Sequence, residues 1–90
     1  MYSIRTTNQF EKDLKRCKKR GLNLNLLKDV IQLLTESGTL PAKYRSHKLS
    51  GNYENCWECH IKPDWLLVWK QDDTELVLLL LNTGTHSDLF

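Results

Sequence analysis

The spacing of apolar residues changes near residue 53, from helical to strand-like. Tyr2 to Thr6 alternates enough for a short strand. Asn8 and Glu11 stand at capping-box spacing before a helix in which Phe10, Leu14 and Cys17 share one face, and Gly21 is placed to stop it. A second helix is expected from Asn23 or Asn25. In it Leu24, Leu27, Ile31 and Leu34 form an apolar stripe, widened by Leu26, Val30 and Leu33 and ended by Ser37 and Gly38. The short link makes the pair a helical hairpin.

Residues 39–52, TLPAKYRSHKLSGN, carry Pro41 and Gly51 without periodicity and read as an irregular surface connection. Beyond them YENCWECHI, WLLVWK and ELVLLLLN are separated by the turn signals KPD and QDDT, which predicts three strands in an antiparallel meander. Pro63, lacking an amide donor, fits the first turn. With the N-terminal strand added, the fold class is α/β: two layers, with the helical hairpin on one face of a twisted sheet of about four strands. On YENCWECHI, Cys56, Glu58 and His60 fall on one face against Asn55, Trp57 and Cys59, and their mixed polarity does not say which is buried.

Ninety residues, 40% hydrophobic and 27% charged, suit one folded domain spanning 1–90. The start has no basic region followed by an apolar run, and Leu76 to Leu81 is too short to cross a bilayer, so a cytoplasmic protein without membrane contact is expected. Cys17, Cys56 and Cys59 are an odd number and read as free thiols. CWEC imitates half of a zinc or redox site, but on a strand its two thiols point to opposite faces, and no second CxxC completes it.

Charge is distributed unevenly. Residues 1–48 hold eleven Lys or Arg against four Asp or Glu, and residues 49–90 hold two against seven. The run Lys12, Lys15, Arg16, Lys18, Lys19 and Arg20 is either the solvent face of a helix or a surface for a polyanion or an acidic partner. Lys43, Arg45, His47 and Lys48 make the connection the first candidate for phosphate contact.

His47, His60 and His86 lie in three different elements, with Asp64 near His60 across a turn. Imidazole suits proton transfer near neutral pH, and the alternatives are scattered packing histidines or a metal site, for which no HxH or HxxxH spacing exists. Walker, GxGxxG and GxSxG motifs are absent. Trp57, Trp65 and Trp69 each suit a core better than a base platform, Trp65 being the one nearest a site. Basic groups for phosphates, aromatics for bases and histidines for protons together describe an RNA-cleaving surface.

KYRSHKLSGN, WECHIKPDWLLVWK and NTGTHSDLF, in this order, resemble the YafQ branch of the RelE-like bacterial toxins, and the resemblance covers nearly the whole chain. It implies a RelE-like fold and a ribosome-dependent mRNA interferase without cofactor or metal. The site it implies comprises catalytic His47, His60, Asp64 and His86, with Trp65 and Phe90 at the substrate. Where the family has a strand arginine before the TGTH segment, this chain has Asn82, so Arg45, Lys48 or Lys62 substitutes or activity is weaker. The implied chemistry is attack of a ribose 2′-OH on its own 3′-phosphate, with His86 as general acid, His60 with Asp64 on the base side and His47 at the phosphate. The implied partners are a cognate antitoxin, the rRNA of the small ribosomal subunit facing the basic first helix, A-site mRNA, and operator DNA only through the antitoxin. Gly84 is expected to bend the tail and Phe90 to pin it. The competing readings are a RelE-fold ribosome- or antitoxin-binding protein with weak or lost cleavage, favoured by Asn82, and a generic RNA-binding module.

Overall fold

The computed structural model describes residues 1–90, the side chain of Asn52 excepted. The chain runs β1 (Ser3–Thr6), α1 (Asn8–Lys19), α2 (Leu24–Ser37), β2 (His47–Lys48), β3 (Cys56–Lys62), β4 (Trp65–Asp72), β5 (Val77–Gly84) and α3 (His86–Leu89). The strands form one sheet in the order β1-β5-β4-β3-β2; β1 and β5 are parallel and the other pairs antiparallel. The two-layer α/β class, the helical pair and the meander are as the spacing predicts.

Three local features differ from expectation. The cap of α1 is Thr7, whose hydroxyl accepts the Phe10 N–H, while Glu11 instead accepts from the Thr6 hydroxyl. Asn8 is therefore the first helical residue. The connection contributes a fifth strand, because His47 and Lys48 pair with Glu58 and Trp57. The tail is a single turn of helix, capped reciprocally by Thr85 and Asp88.

Both long helices end where glycine permits. After α1 the Leu22 N–H bonds the Cys17 carbonyl and the Gly21 N–H bonds the Lys18 carbonyl, with Gly21 at φ 77°. Gly38 caps α2 at φ 71°, where a Cβ would stand 2.6 Å from the Tyr2 hydroxyl.

The core lies between the helices and one sheet face. Phe10, Cys17, Leu27, Val30 and Leu34 pack on Cys59, Trp65, Leu67, Trp69, Leu78 and Leu80. Trp57 stacks on its cross-strand neighbour Trp69, centroids 6.3 Å apart. Cys17, Cys56 and Cys59 are free and buried, and burial pushes the Cys59 thiol up to about 12. Among the described residues no helix is long and apolar enough to cross a membrane.

β5 outruns β1, which pairs with it only as far as Leu80. Beyond that point α1 closes the edge with side chains. The buried Asp13 carboxylate accepts the Thr83 N–H at 3.1 Å, Arg16 donates to the Thr83 carbonyl at 3.2 Å, and Asp13 and Arg16 pair at 3.0 Å. The exposed edge of the strand is thus satisfied without another strand.

Candidate active site

Strand parity and the turn after β3 bring the three histidines together. Register sets His47 opposite Glu58 and His60 opposite Leu66, while Leu66 faces Gly84, from which the tail turns back. His47 and His60 have ring centroids 6.3 Å apart, and His60 and His86 5.8 Å apart. The row lies on the sheet face away from the helices, over buried Leu66 and Val68.

Each imidazole has its own polar partner. The His86 ring Nδ1–H donates to Asp64 Oδ1 at 2.6 Å and the His86 backbone N–H to the same oxygen at 3.0 Å. These two bonds, the backbone one first, hold the Asp64 carboxyl below its ordinary value. Nε2 of His86 has no hydrogen-bond partner among the described residues. His47 Nδ1 lies 2.9 Å from the Arg45 carbonyl and Nε2 3.3 Å from Glu58 Oε1. His60 points Nδ1 at the Pro63 carbonyl, 3.4 Å away, and Nε2 stands 3.9 Å from Glu58 Oε1.

Glu58, 6% exposed, is thus a buried carboxylate shared by two histidines, and sequence reasoning did not name it as a site residue. Its signal was parity, since residues 58 and 60 share a strand face. Asp64 was assigned to the wrong histidine. It is close to His60 in sequence, but the tail delivers His86 to it, and His60 turns to Pro63.

Three of the expected substrate contacts lie elsewhere. Trp65 is 3% exposed on the helix side, its indole N–H on Thr83 Oγ1 at 3.0 Å, because neighbours on a strand point to opposite faces. Lys48 stands opposite Trp57 and holds its ammonium 5.6 Å from that ring, on the face away from the histidines. Asn82 shares a cross-strand row with Val68, Glu58 and His47, but a bulge beside it lets its amide reach Asp13 at 3.4 Å. Arg45 and Lys62 do lie beside His60. Phe90 packs edge-on against Tyr53 at 5.2 Å while staying 60% exposed.

The basic helix divides as well. Lys12, Lys15, Lys18 and Lys19 are exposed, but Arg16 is committed to Asp13 and Thr83, and Arg20 grips Asp88 at 2.6 and 3.1 Å. That grip, with the Thr85 N–H, pulls the Asp88 carboxyl far below the usual carboxylate range and ties α3 to α1. A Cβ on Gly84 would stand 2.7 Å from Asp88 Oδ2 and 2.8 Å from Arg16 Nη2, so the clamp requires glycine there. Among the described residues no group of three His, Cys, Asp or Glu side chains is arranged to hold a metal ion. A hollow of about 760 Å³ between residues such as Arg5, Lys70 and Leu79 has no histidine in its lining. The three histidines instead form an open row on the sheet surface.

A model of the bacterial toxin of type II toxin–antitoxin systems, YafQ, matches residues 2–90. The chain belongs to the YafQ toxin family. The mRNA interferase toxin YafQ of Escherichia coli strain K12 is 38% identical over 88 residues, which cover 97% of this chain and 94% of that one. The crystal structure of YafQ from E. coli strain BL21(DE3) superposes with a TM-score of 0.92 at 35% identity, covering 100% of this chain and 99% of that one. YafQ in the E. coli DinJ–YafQ complex gives 0.90 at 36% identity, again covering 100% and 99%. The YafQ-type fold is therefore shared from end to end.

Proposed function

We propose that this YafQ-family toxin is a ribosome-dependent endoribonuclease that cuts messenger RNA and so halts translation. The observation that carries the proposal is the row of three imidazoles, each with a defined polar partner, on one open sheet face. The relatives named mRNA interferase toxins support the same reading.

The reaction follows from the partners. His60, beside Glu58, takes the proton of a ribose 2′-OH, whose oxygen bonds to the adjacent phosphorus. As the bond from phosphorus to the 5′-oxygen breaks, His86 gives that oxygen its Nε2 proton, with Asp64 holding the ring by Nδ1. The products are a 2′,3′-cyclic phosphate and a 5′-OH end. His47, anchored by Glu58 and the Arg45 carbonyl, presents positive charge to the non-bridging oxygens. Phe90, whose N–H bonds the His86 carbonyl, borders the RNA.

The histidine row is an open face, and the ribosome presents the mRNA to it in its A site. Lys12, Lys15, Lys18 and Lys19 face ribosomal RNA, and binding weakens steeply with salt. A cognate antitoxin silences the toxin in the cytoplasm, as DinJ forms a complex with YafQ, and operator DNA is met only through that antitoxin.

Primer extension on a defined mRNA with ribosomes, wild-type protein and His86→Ala protein tests this. Discrete cuts that need ribosomes and vanish in the variant are expected. Intact mRNA with retained ribosome binding would instead support a binding protein on a toxin fold.

A further inference from the structure

Lys43, Arg45 and Lys62 surround a cleft of about 260 Å³ that His60, Ile61 and Pro63 complete. A second hollow of about 260 Å³, against Tyr44 and Leu26, shares Lys43, Ile61 and Lys62 with the first. The three cations come from two segments: Lys43 and Arg45 from the connection before β2, Lys62 from the end of β3.

All three side chains are exposed, and among the described residues none of them is paired with a carboxylate. The contrast with α1 is direct, since there Arg16 and Arg20 are neutralised by Asp13 and Asp88. Both carboxylates of the histidine row are also turned elsewhere, Glu58 to His47 and His60 and Asp64 to His86. Like charges crowded around one cleft without a counter-charge repel one another, and an anion seated between them removes that cost. Arginine and lysine donors around a small cleft suit a phosphodiester, whose non-bridging oxygens accept from several directions.

We propose that Lys43, Arg45 and Lys62 seat a backbone phosphate of the messenger RNA, the one on the 5′ side of the nucleotide whose 2′-OH attacks. The seat rests on the cleavage reading, which sets its direction. His86 attends the leaving 5′-oxygen, so the 3′ portion of the RNA departs past the tail. His60 attends the 2′-OH, and the cleft adjoins His60 while touching neither Asp64 nor His86. The chain upstream of the cut therefore passes over it. Charge lies on the β2 side of the row, whereas Asn82 on the β5 side is neutral and tied to Asp13. The RNA is gripped from its 5′ side.

The test uses mRNAs with one uncharged methylphosphonate link, placed in turn at each position around the cut, on ribosomes with wild-type or Arg45→Ala/Lys62→Ala protein. For the wild type, neutralising the link 5′ of the attacked nucleotide lowers the cleavage rate roughly tenfold or more, the loss expected when charged hydrogen bonds are removed. In the double variant cleavage of unmodified mRNA is already lower by a similar factor, and the same link has no further effect. Lys43→Ala, tested alone, gives a smaller loss at the same link. If the double variant is slower at every link position and remains as sensitive to the upstream link as wild type, the cations meet ribosomal RNA and the seat is refuted. Cleavage by the double variant at the wild-type rate also refutes it. A wild-type protein that leaves every mRNA intact overturns the cleavage reading itself, and the seat with it.

Discussion

His86 and Asp64 are joined twice, the backbone N–H and the ring Nδ1–H of the histidine both reaching Oδ1 of the aspartate, at 3.0 and 2.6 Å. One oxygen thus sets the position of the residue and the tautomer of its ring. Asp64→Ala should lower the rate of mRNA cleavage by roughly 10²-fold, within the range for general acid–base groups. The melting temperature should not move, because both side chains are exposed.

The same pair has a predictable pH response. A carboxyl held below its ordinary value contributes its bonds fully above the ordinary carboxylate range, and they are lost as pH falls through the depressed value. The Asp64 side-chain carboxyl carbon, followed by NMR, should therefore titrate below the ordinary aspartate value. A shift centred at the ordinary aspartate value would show that the tether does not form.

Glu58 is buried under two imidazoles. Glu58→Gln keeps its shape and removes its charge, so His47 and His60 lose a shared anionic partner. Cleavage should fall roughly 10²-fold while ribosome binding is retained. Pull-down of ribosomes beside primer extension separates the two effects, and unaltered cleavage would remove Glu58 from the site.

Arg20→Ala cuts the grip on Asp88 without touching the histidine row. The tail helix should loosen, and cleavage at saturating mRNA should fall by about tenfold, with the ordinary modest stability cost of an exposed ion pair. Arg20→Lys, which retains charge but not the two-pronged fit, should recover only part of the rate. Rates from single-turnover assays at increasing toxin concentration distinguish this from weakened binding.

Deleting Phe90 removes the edge-on contact with Tyr53 and the N–H that bonds the His86 carbonyl. Cleavage should drop by more than the melting temperature suggests, because the core is untouched. Normal cleavage by the truncated protein would mean that Asp64, Arg20 and the Tyr53 hydroxyl on the Leu89 carbonyl suffice to hold the tail.

Local signals explain what was legible in advance. Gly21 and Gly38 ended helices as expected because left-handed backbone favours glycine, and the leucine stripe of α2 meets the core at Leu27, Val30 and Leu34. β2 was illegible because two residues carry no periodicity, and it forms only when β3 offers an edge. The histidines were legible as residue types but not as a row, since their meeting depends on strand register and on a tail that bends at Gly84. Trp65 and Lys48 were misplaced by reading proximity along the chain instead of strand parity. Glu58 was passed over because the mixed polarity of its strand leaves open which face is buried. Its burial is visible only once His47 pairs opposite it.

The parallel pairing of β1 with β5 sets Ser3 beside Val77, with nearly the whole chain between them. Every other strand pair closes over a shorter stretch, and the β3–β4 and β4–β5 hairpins close over tight turns. The order of assembly follows: the hairpins form early, and the long loop that β1 must close delays its docking until last. The helix α1 packs directly on β5, where Arg16 reaches Thr83 and Arg20 reaches Asp88, so the contacts that hold the tail also join residues far apart along the chain. Contacts of such separation are the slow ones to form, so refolding followed at the tail should lag behind refolding followed at the β3–β4 hairpin.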